Sequence, residues 1–320
     1  MTLGELYQAA IRVGMETDPR GRDALEKQMQ QLTQEYEALS EREKRLFDTE
    51  RLTNPFGDTR LVLGDPDTEL KRVVLGISIS GSELLLAAEL GRRGKPVDAV
   101  IGHHTSNIAG GLGSRYDTAI PQVTMAAGVG VPESRAWKLV QDVVGRDEPS
   151  WDLTGLQIAE ALEMPLMCIH SPADVCLHQL MAGQLATEKP ETVGDVLSLV
   201  NDWPECQWLI EKARHAPHID AGDARAPVGK VYMCLYGGWN PTPALFEELC
   251  KAGVSTFVVV ASTAEFRELA GKYGASIVVI PHYPADNAGI NIMLDRIMPD
   301  GDEFEIVECS NYVRCQRTTH

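Results

Sequence analysis

V-D-A-V-I-G-H-H, residues 97–104, is a short apolar run that ends in two adjacent histidines. Two other runs end in the same way, because residues 164–169 (M-P-L-M-C-I) precede His170 and residues 276–281 (S-I-V-V-I-P) precede His282. Short runs rich in Val and Ile, separated by helical stretches, are typical of the buried strands of a largely parallel sheet. The sequence therefore predicts an α/β protein with histidines at the carboxyl ends of its strands.

Outward from these runs, apolar and helical segments alternate along most of the chain. We predict strands at Val73–Ile79, Val97–Ile101, Met164–Ile169, Val231–Leu235, Thr256–Val260 and Ser276–Ile280. We predict helices at Glu83–Arg92, Leu156–Leu162, Cys176–Leu185, Pro243–Ala252 and Ala264–Lys272. This order favours two α/β lobes with largely parallel or mixed sheets.

The first 50 residues have a different pattern, with apolar side chains at helical spacing on both sides of a polar turn. They predict a helical hairpin that packs on the body of the protein or on another subunit. The polar stretch Thr187–Val228 separates the two lobes. We therefore expect an N-terminal helical extension (1–60), a first α/β lobe (61–190), a second α/β lobe (191–308) and a tail (309–320).

Composition narrows the class of protein and its partners. No stretch approaches the roughly 20 apolar residues of a membrane helix, and no secretory signal is visible, so we expect no membrane partner. Seven cysteines, an odd number without tight pairing, suggest reduced thiols in a cytoplasmic protein. A net charge of −17 opposes binding to nucleic acid. It leaves room for a small-molecule substrate, even an anionic one, because a metal ion can invert the local field.

Two of the strand-end histidines share a finer pattern with a following acid. His170 begins H-S-P-A-D and His282 begins H-Y-P-A-D, so that Asp174 and Asp286 each follow a histidine by four residues. A Pro two residues before the acid suits a strand-to-helix corner, which can aim an imidazole and a carboxylate at one point. Ligands of open α/β sheets bind outside the carboxyl ends of the strands.

These residues together predict a metal centre. Imidazole with carboxylate suits Zn, Fe, Ni or Mn better than Ca or Mg. The adjacent histidines at 103 and 104 can converge only if their strand stops there, and the glycine-rich segment 105–114 supplies such a break. The candidate metal ligands are His103, His104, His170, Asp174, His282 and Asp286.

Each candidate also has an ordinary structural explanation. A single histidine after a strand is more often a hydrogen-bonding residue than a ligand, and Asp174 and Asp286 taken singly are more often helix caps. Four histidines and two matched acids at sheet edges favour the metal site.

Several segments resemble the NIF-three-like family, whose members are also known as GTP cyclohydrolase 1 type 2 homologs. L-V-L-G-D-P-D-T-E-L-K-R-V-V-L-G-I (61–77) is similar to the family's opening strands. D-A-V-I-G-H-H (98–104), H-S-P-A-D (170–174) and P-H-Y-P-A-D (281–286) resemble its double-histidine, His-x-x-x-Asp and Gly-His-Tyr-x-x-Glu elements. The resemblance covers about 61–105, 160–186 and 228–297, in the family's order.

The resemblance implies a two-lobed α/β fold, a centre of two divalent transition-metal ions between the lobes, and a homo-oligomer that is often a ring-shaped hexamer. It assigns metal contacts to His103, His104, Asp174, His282 and Asp286, with His170 as a ligand or a close neighbour.

The chain departs from the family pattern at several positions. Asp stands at 286 instead of Glu, Ser78 replaces a usual Asp, and Thr105 replaces a Pro. The segment 261–266 lacks a histidine that is often found there. These departures weaken the transfer of a substrate more than that of a metal.

Three hypotheses for function follow. The first is a metal-dependent hydrolase of a small, nucleotide-like or phosphorylated substrate, GTP cyclohydrolase-like by resemblance, in which His170 or Tyr283 moves protons. The second is a non-catalytic metal carrier or oligomeric scaffold, which the substitutions at 78, 105 and 286 favour. The third is an interaction module built on the N-terminal helices.

Overall fold

The computed structural model describes residues 1–104, 115–144, 153–236 and 240–317. Its helices are α1 (Leu3–Thr17), α2 (Arg22–Ala38), α3 (Glu41–Lys44), a 3-10 helix (Thr49–Leu52), α4 (Gly81–Arg92), α5 (Arg115–Gly128), α6 (Glu133–Val144), α7 (Thr154–Leu162), α8 (Ser171–Glu188), α9 (Val193–Asn201), α10 (Pro204–Ala213), α11 (Pro243–Lys251), α12 (Ala264–Tyr273) and α13 (His282–Ile297). Its strands are β1 (Arg60–Leu63), β2 (Arg72–Ser78), β3 (Ala99–His104), β4 (Leu166–Cys168), β5 (His218–Ala221), β6 (Lys230–Cys234), β7 (Val254–Val259), β8 (Ser276–Val279) and β9 (Glu305–Cys309).

The first sheet has the strand order β1-β4-β3-β2-β9. Its strands run parallel except for β1, which pairs antiparallel with β4 at one edge. Helices cover both faces, so successive residues of β2 enter different cores. Val73 and Leu75 belong to a core that includes side chains of α1, α8 and α13, whereas Val74 belongs to a core with side chains of α4 and α7. Burial on both faces explains why the strand is apolar without alternation.

The second sheet has the order β5-β8-β7-β6, with β6, β7 and β8 parallel and β5 antiparallel at the edge. Phe257 of β7 enters a core with α5, α6, α11 and α12. Its neighbour Val258 enters the opposite core, with α8, α9 and α13. Each of the six predicted strands has a counterpart in one of the two sheets, and the predicted α/β class is confirmed.

Helices α8 and α13 connect the two sheets, because each contributes side chains to a core on either side. In α13, Ala285 packs in the core of the second sheet and Met293 in that of the first. The two helices cross closely at Gly289, where a Cβ atom would lie 2.5 Å from the carbonyl oxygen of Ala173. Only glycine fits at that crossing without a shift of one helix.

The sequence-based lobe boundaries differ from the observed arrangement at two places. Strand β9, placed in the second lobe (191–308), pairs with β2 of the first sheet, from Arg72↔Glu305 to Gly76↔Cys309. Its apolar part is too short to predict a strand. Helix α1, placed in a peripheral extension (1–60), is buried in the first sheet's core, whereas α2 buries only Leu25.

The predicted tail (309–320) is, over its described part, bound along α13. Asn287 donates to the carbonyl of Asn311 and accepts from the backbone N–H of Val313, both at 2.8 Å. Asn291 donates to the carbonyl of Val313 at 3.0 Å. We call residues 311–317 the strap.

Over the described ranges, with their gaps at 105–114, 145–152 and 237–239, no helix combines the length and apolarity needed to cross a membrane.

Candidate metal centre

The candidate side chains come from the end of one strand and the beginnings of two helices. His103 and His104 are the last residues of β3, which runs in register with β2 as far as Ser78↔His104. His170 precedes α8, and Asp174 lies in its first turn. His282 and Asp286 lie in the first two turns of α13. The glycine-rich segment 105–114, predicted to end the β3 strand, lies outside the described residues.

The carboxylate of Asp286 lies among three imidazoles. Its Oδ1 is 3.5 Å from His282 Nε2 and 3.8 Å from His103 Nε2. Its Oδ2 is 3.3 Å from His104 Nε2. His103 Nε2 is also 3.5 Å from Asp174 Oδ1. Asp286 is one methylene shorter than the Glu of the family pattern, yet its carboxylate lies within 3.8 Å of all three imidazoles.

The six predicted residues form three overlapping groups, and within each group the potential ligand atoms lie within 4.8 Å of one another. The predicted convergence at one place is therefore present, and these groups could hold a metal ion. Their assignment as ligands stays a prediction. The groups are His103–His104–His170, His104–His282–Asp286 and His103–Asp174–Asp286.

The fold matches that of solved structures. A NIF3 superfamily protein from Sphaerobacter thermophilus superposes with a TM-score of 0.68 at 27% identity, covering 80% of this chain and 91% of that one. The resemblance that the sequence motifs predict is therefore confirmed. Reduced HcgD from Methanocaldococcus jannaschii (TM-score 0.46, 13% identity, 79% and 89% covered) and protein ybgI (0.44, 15%, 87% and 100%) match less closely. No protein-family model matches the chain, and a search of curated proteins finds no match.

Three imidazoles of the centre have their Nδ1 atom held by a neighbour. His103 Nδ1 lies 3.0 Å from the carbonyl oxygen of Ile169. Since a carbonyl only accepts, Nδ1 carries the proton and Nε2 is left with a lone pair that faces the two aspartates. His104 Nδ1 lies 2.8 Å from Ser78 Oγ. The serine that departs from the family pattern thus still contacts a candidate ligand.

The third imidazole, His170, is held by a residue that sequence analysis missed. Its Nδ1 lies 2.9 Å from Asp58 Oδ2, and the same oxygen accepts from Ser171 Oγ at 2.7 Å. A carboxylate behind a histidine fixes its tautomer and raises its basicity, as in many metal sites. Asp58 approaches His170 through strand pairing, because Arg60 of β1 is opposite Cys168 of β4 in an antiparallel pair. That register brings Asp58 next to His170.

Burial and mutual charge shift the pKa values of the two carboxyls in the centre. Burial is the largest effect on Asp174 and, with the negative charges of Asp286 and Asp58, raises its pKa to about 7. Burial likewise raises the pKa of Asp286 to about 7, against the opposing charges of His282 and His170. Without a cation, these buried carboxyls thus resist ionisation.

The pKa values of the histidines are shifted in both directions. Burial and the neighbouring His170 lower the pKa of His104 to about 4 and hold that of His103 well below its ordinary value. Burial would also lower the pKa of His170, but Asp174 and Asp58 outweigh it and raise the pKa to about 10. For Asp58, burial alone would raise the pKa, yet the hydrogen bond and charge of His170 leave it below the ordinary value. Asp58 is therefore ionised.

Two buried polar atoms of the centre are suited to bind a cation. Neither His103 Nε2 nor Asp286 Oδ2 makes a hydrogen bond to any described residue. His104 Nε2, at 3.3 Å from that oxygen, does not have hydrogen-bond geometry. Buried polar groups without a partner are rare in folded proteins because each costs free energy. Imidazole nitrogens and carboxylate oxygens together are a donor set for Zn, Fe, Mn or Ni.

A cleft of about 330 Å³ opens from the centre toward the second sheet. Five of the six candidate ligands line it, together with five apolar residues and Asn240. Tyr283, predicted as a proton donor or acceptor, does not line this cleft. Its ring stacks beside His282 with 6.1 Å between centroids and is 39% exposed. Its catalytic role stays a prediction without a supporting contact.

Proposed function

We propose that the protein is a hydrolase that holds two divalent transition-metal ions in this cleft and acts on a small molecule. The observation that supports it best is the pair of unpartnered buried atoms, His103 Nε2 and Asp286 Oδ2, inside a cluster of four imidazoles and two carboxylates. Hydrogen bonds within the described residues leave these two atoms unsatisfied, whereas a bound cation would satisfy both.

The spread of the ligand atoms favours two ions over one. The six residues form three overlapping groups instead of one, and Asp286 belongs to two of them. It presents Oδ1 to His282 and His103 and Oδ2 to His104. A carboxylate with a different histidine at each oxygen is suited to bridge two ions.

The protein's own residues prepare the centre for hydrolysis. Divalent ions bound there would supply Lewis acidity and lower the pKa of water. Asp58 and the Ile169 carbonyl hold the Nδ1 atoms of His170 and His103 by hydrogen bonds, so that each imidazole keeps Nε2 as its free nitrogen. The apolar residues that line the cleft lower the local dielectric beside the centre, which strengthens electrostatic interactions there. His170, whose proton is shared with Asp58, is the proposed proton-handling residue.

Metal content and turnover test the proposal. Protein purified without a metal-affinity resin should contain about two transition ions per chain, as a dinuclear site requires. The loaded protein is then screened against esters, amides, lactones, phosphoesters and nucleotides. Turnover that disappears in His104→Ala, with the fold retained by circular dichroism, would support a hydrolase. Protein that binds no transition ion at micromolar concentration would contradict it.

A non-catalytic metal carrier is the second candidate, and one observation favours it. Apart from the candidate ligands, no described residue lining the cleft offers a carboxyl, imidazole or amine. A general acid or base separate from the metal ligands is therefore not seen. A carrier would release its ions to an apo-acceptor such as a chelating dye within minutes, whereas a resident catalytic centre would retain them.

The oligomer is part of the same proposal. The family resemblance suggests a homo-oligomer, with a hexamer as the specific expectation, and the N-terminal hairpin as a partner-binding element. Light scattering on the full chain and on a chain lacking residues 1–50 tests both. Because α1 is buried in the first core, the shortened chain should lose stability, so a deletion confined to the exposed helix α2 is the sharper variant.

A further inference from the structure

Apart from the candidate ligands, the described residues that line the cleft are uncharged. Leu177 comes from α8, Cys234 and Leu235 from the end of β6, and Val260 and Ala261 from the end of β7. Leu177 and Leu235 are almost completely buried beneath this surface. We call these five residues the apolar wall.

One neutral polar group interrupts the apolar wall. Asn240 lines the cleft, and its Nδ2 donates to the carbonyl of Ala261 at 3.2 Å. That hydrogen bond fixes the side-chain amide beside Val260 and Ala261. An amide can orient a substrate by a hydrogen bond but cannot neutralise a charge.

Among the described residues that line the cleft there is no Lys or Arg. Proteins usually bind phosphate groups with Arg or Lys side chains. A polyphosphate would find no such side chain in the described lining of the cleft.

The charge of the centre itself leaves little for an anion. Two divalent ions would bring four positive charges, and the three neighbouring carboxylates of Asp58, Asp174 and Asp286 would offset most of that charge. A nucleoside triphosphate would add several negative charges to a buried site in a protein of net charge −17.

We propose that the cleft takes a small uncharged ester, lactone or amide, with its carbonyl at the ions and its apolar body on the apolar wall, and not a nucleoside triphosphate. This inference rests on the proposed hydrolase function and names its substrate class. In the reaction, water adds its oxygen to the carbonyl carbon and the C–O or C–N bond breaks. The leaving oxygen or nitrogen takes a proton, so one water is consumed for each bond.

The affinities of two hydroxamates that differ only in their tails measure how the apolar wall contributes to binding. Hexanohydroxamate and succinate monohydroxamate carry the same metal-binding group but have an apolar and an anionic tail, respectively. On the zinc-loaded protein, the apolar probe should bind at least about tenfold more tightly, as expected when about two CH2 groups become buried. Equal affinity, or tighter binding of the anionic probe, would overturn the inference.

Substitution at Val260 provides a matched control. Val260→Lys places a cation in the apolar wall and should reverse the preference, whereas the similarly long but neutral Val260→Met should keep it. If both variants keep the preference of the parent protein, the tail does not contact this wall and the inference is wrong.

The turnover screen separates this inference from the proposed function. Hydrolysis of neutral esters or lactones, with GTP and phosphoesters at least about tenfold slower, supports both. Metal-dependent hydrolysis that is faster on GTP retains the hydrolase and overturns the substrate class. Tight binding of hexanohydroxamate without turnover of any compound supports the neutral ligand and contradicts the hydrolase.

Discussion

Gly289 of α13 lies against the backbone of Ala173 of α8, so closely that a Cβ on the glycine would be 2.5 Å from the alanine's carbonyl oxygen. Asp174 follows directly on that alanine, and Asp286 precedes the glycine by about one helical turn. The separation of the two helices therefore sets the separation of the two carboxylates.

Gly289→Ala should accordingly disturb both stability and metal binding. Forcing the helices apart should lower the free energy of unfolding by about 1–3 kcal/mol, and metal affinity should fall with it. Gly183→Ala is the control, because this exposed glycine of α8 has no atom within 4 Å of the added Cβ. The control should be neutral or more stable by up to about 1 kcal/mol. Urea unfolding measures the stability of both variants, and zinc titration measures their metal affinity. Equal stability and equal zinc affinity of the two variants would refute the prediction.

Asp58→Asn should weaken metal binding without removing a proposed ligand. The amide can still accept from His170 Nδ1 but lacks the charge that raises the basicity of Nε2. Loss of such a partner typically costs about 10- to 100-fold in metal affinity. Competition with a chelating dye measures it, and Asp223→Asn, in an exposed ion pair with Arg225, is the control. An affinity within about twofold of the parent would show that Asp58 is structural only.

Metal affinity should fall as the pH falls through about 7. The free protein takes up protons there because Asp174 and Asp286 have pKa values of about 7, whereas the metal-bound protein keeps both ionised. His170, with a pKa raised to about 10, must also lose a proton on binding as a ligand. Calorimetry in two buffers of different ionisation enthalpy should show at least about one proton released at pH 7.5. A flat profile from pH 6 to 8 would contradict this.

Arg317→Ala should destabilise the fold through the strap. Arg317 pairs with Glu205, whose side chain is completely buried and also accepts from Asn291 Nδ2 at 3.0 Å. Removing the arginine leaves a buried carboxylate without its cation, at a cost of about 2–4 kcal/mol. Thermal unfolding tests this against Arg225→Ala, an exposed pair that should change stability by less than about 0.5 kcal/mol. If both variants lost the same stability, the buried Glu205 carboxylate would not need the charge of Arg317.

The sequence was sufficient for His104 and His170, because they lie at the carboxyl ends of neighbouring parallel strands, which meet at the same edge of one sheet. His282 follows β8 of the second sheet, and the close packing of α13 on α8 brings it to the same place. Asp58 could not be predicted, since it reaches His170 only through the register of the short edge strand β1. Gly289 likewise has a meaning only once α8 and α13 are seen to cross, and local patterns contain no information on that crossing.

The predicted lobe boundaries were inaccurate for a related reason. Strand β9 offers a short apolar stretch between glutamates, and its pairing with β2 depends on a partner more than 200 residues away. Burial of α1 in the first core is also decided by tertiary contacts. Periodicity along the chain detects which residues are apolar, but not which distant element covers them.

Strands β2 and β9 are neighbours in the first sheet, and all strands of the second sheet lie between them along the chain. Closing so long a loop is entropically costly and slow, and it becomes favourable once the intervening residues are compact. The second lobe should therefore fold early, and its folding should bring β9 close enough to pair with β2 and complete the first sheet. A cut between the lobes would not yield two stable halves, since one would lack the strand that completes its sheet.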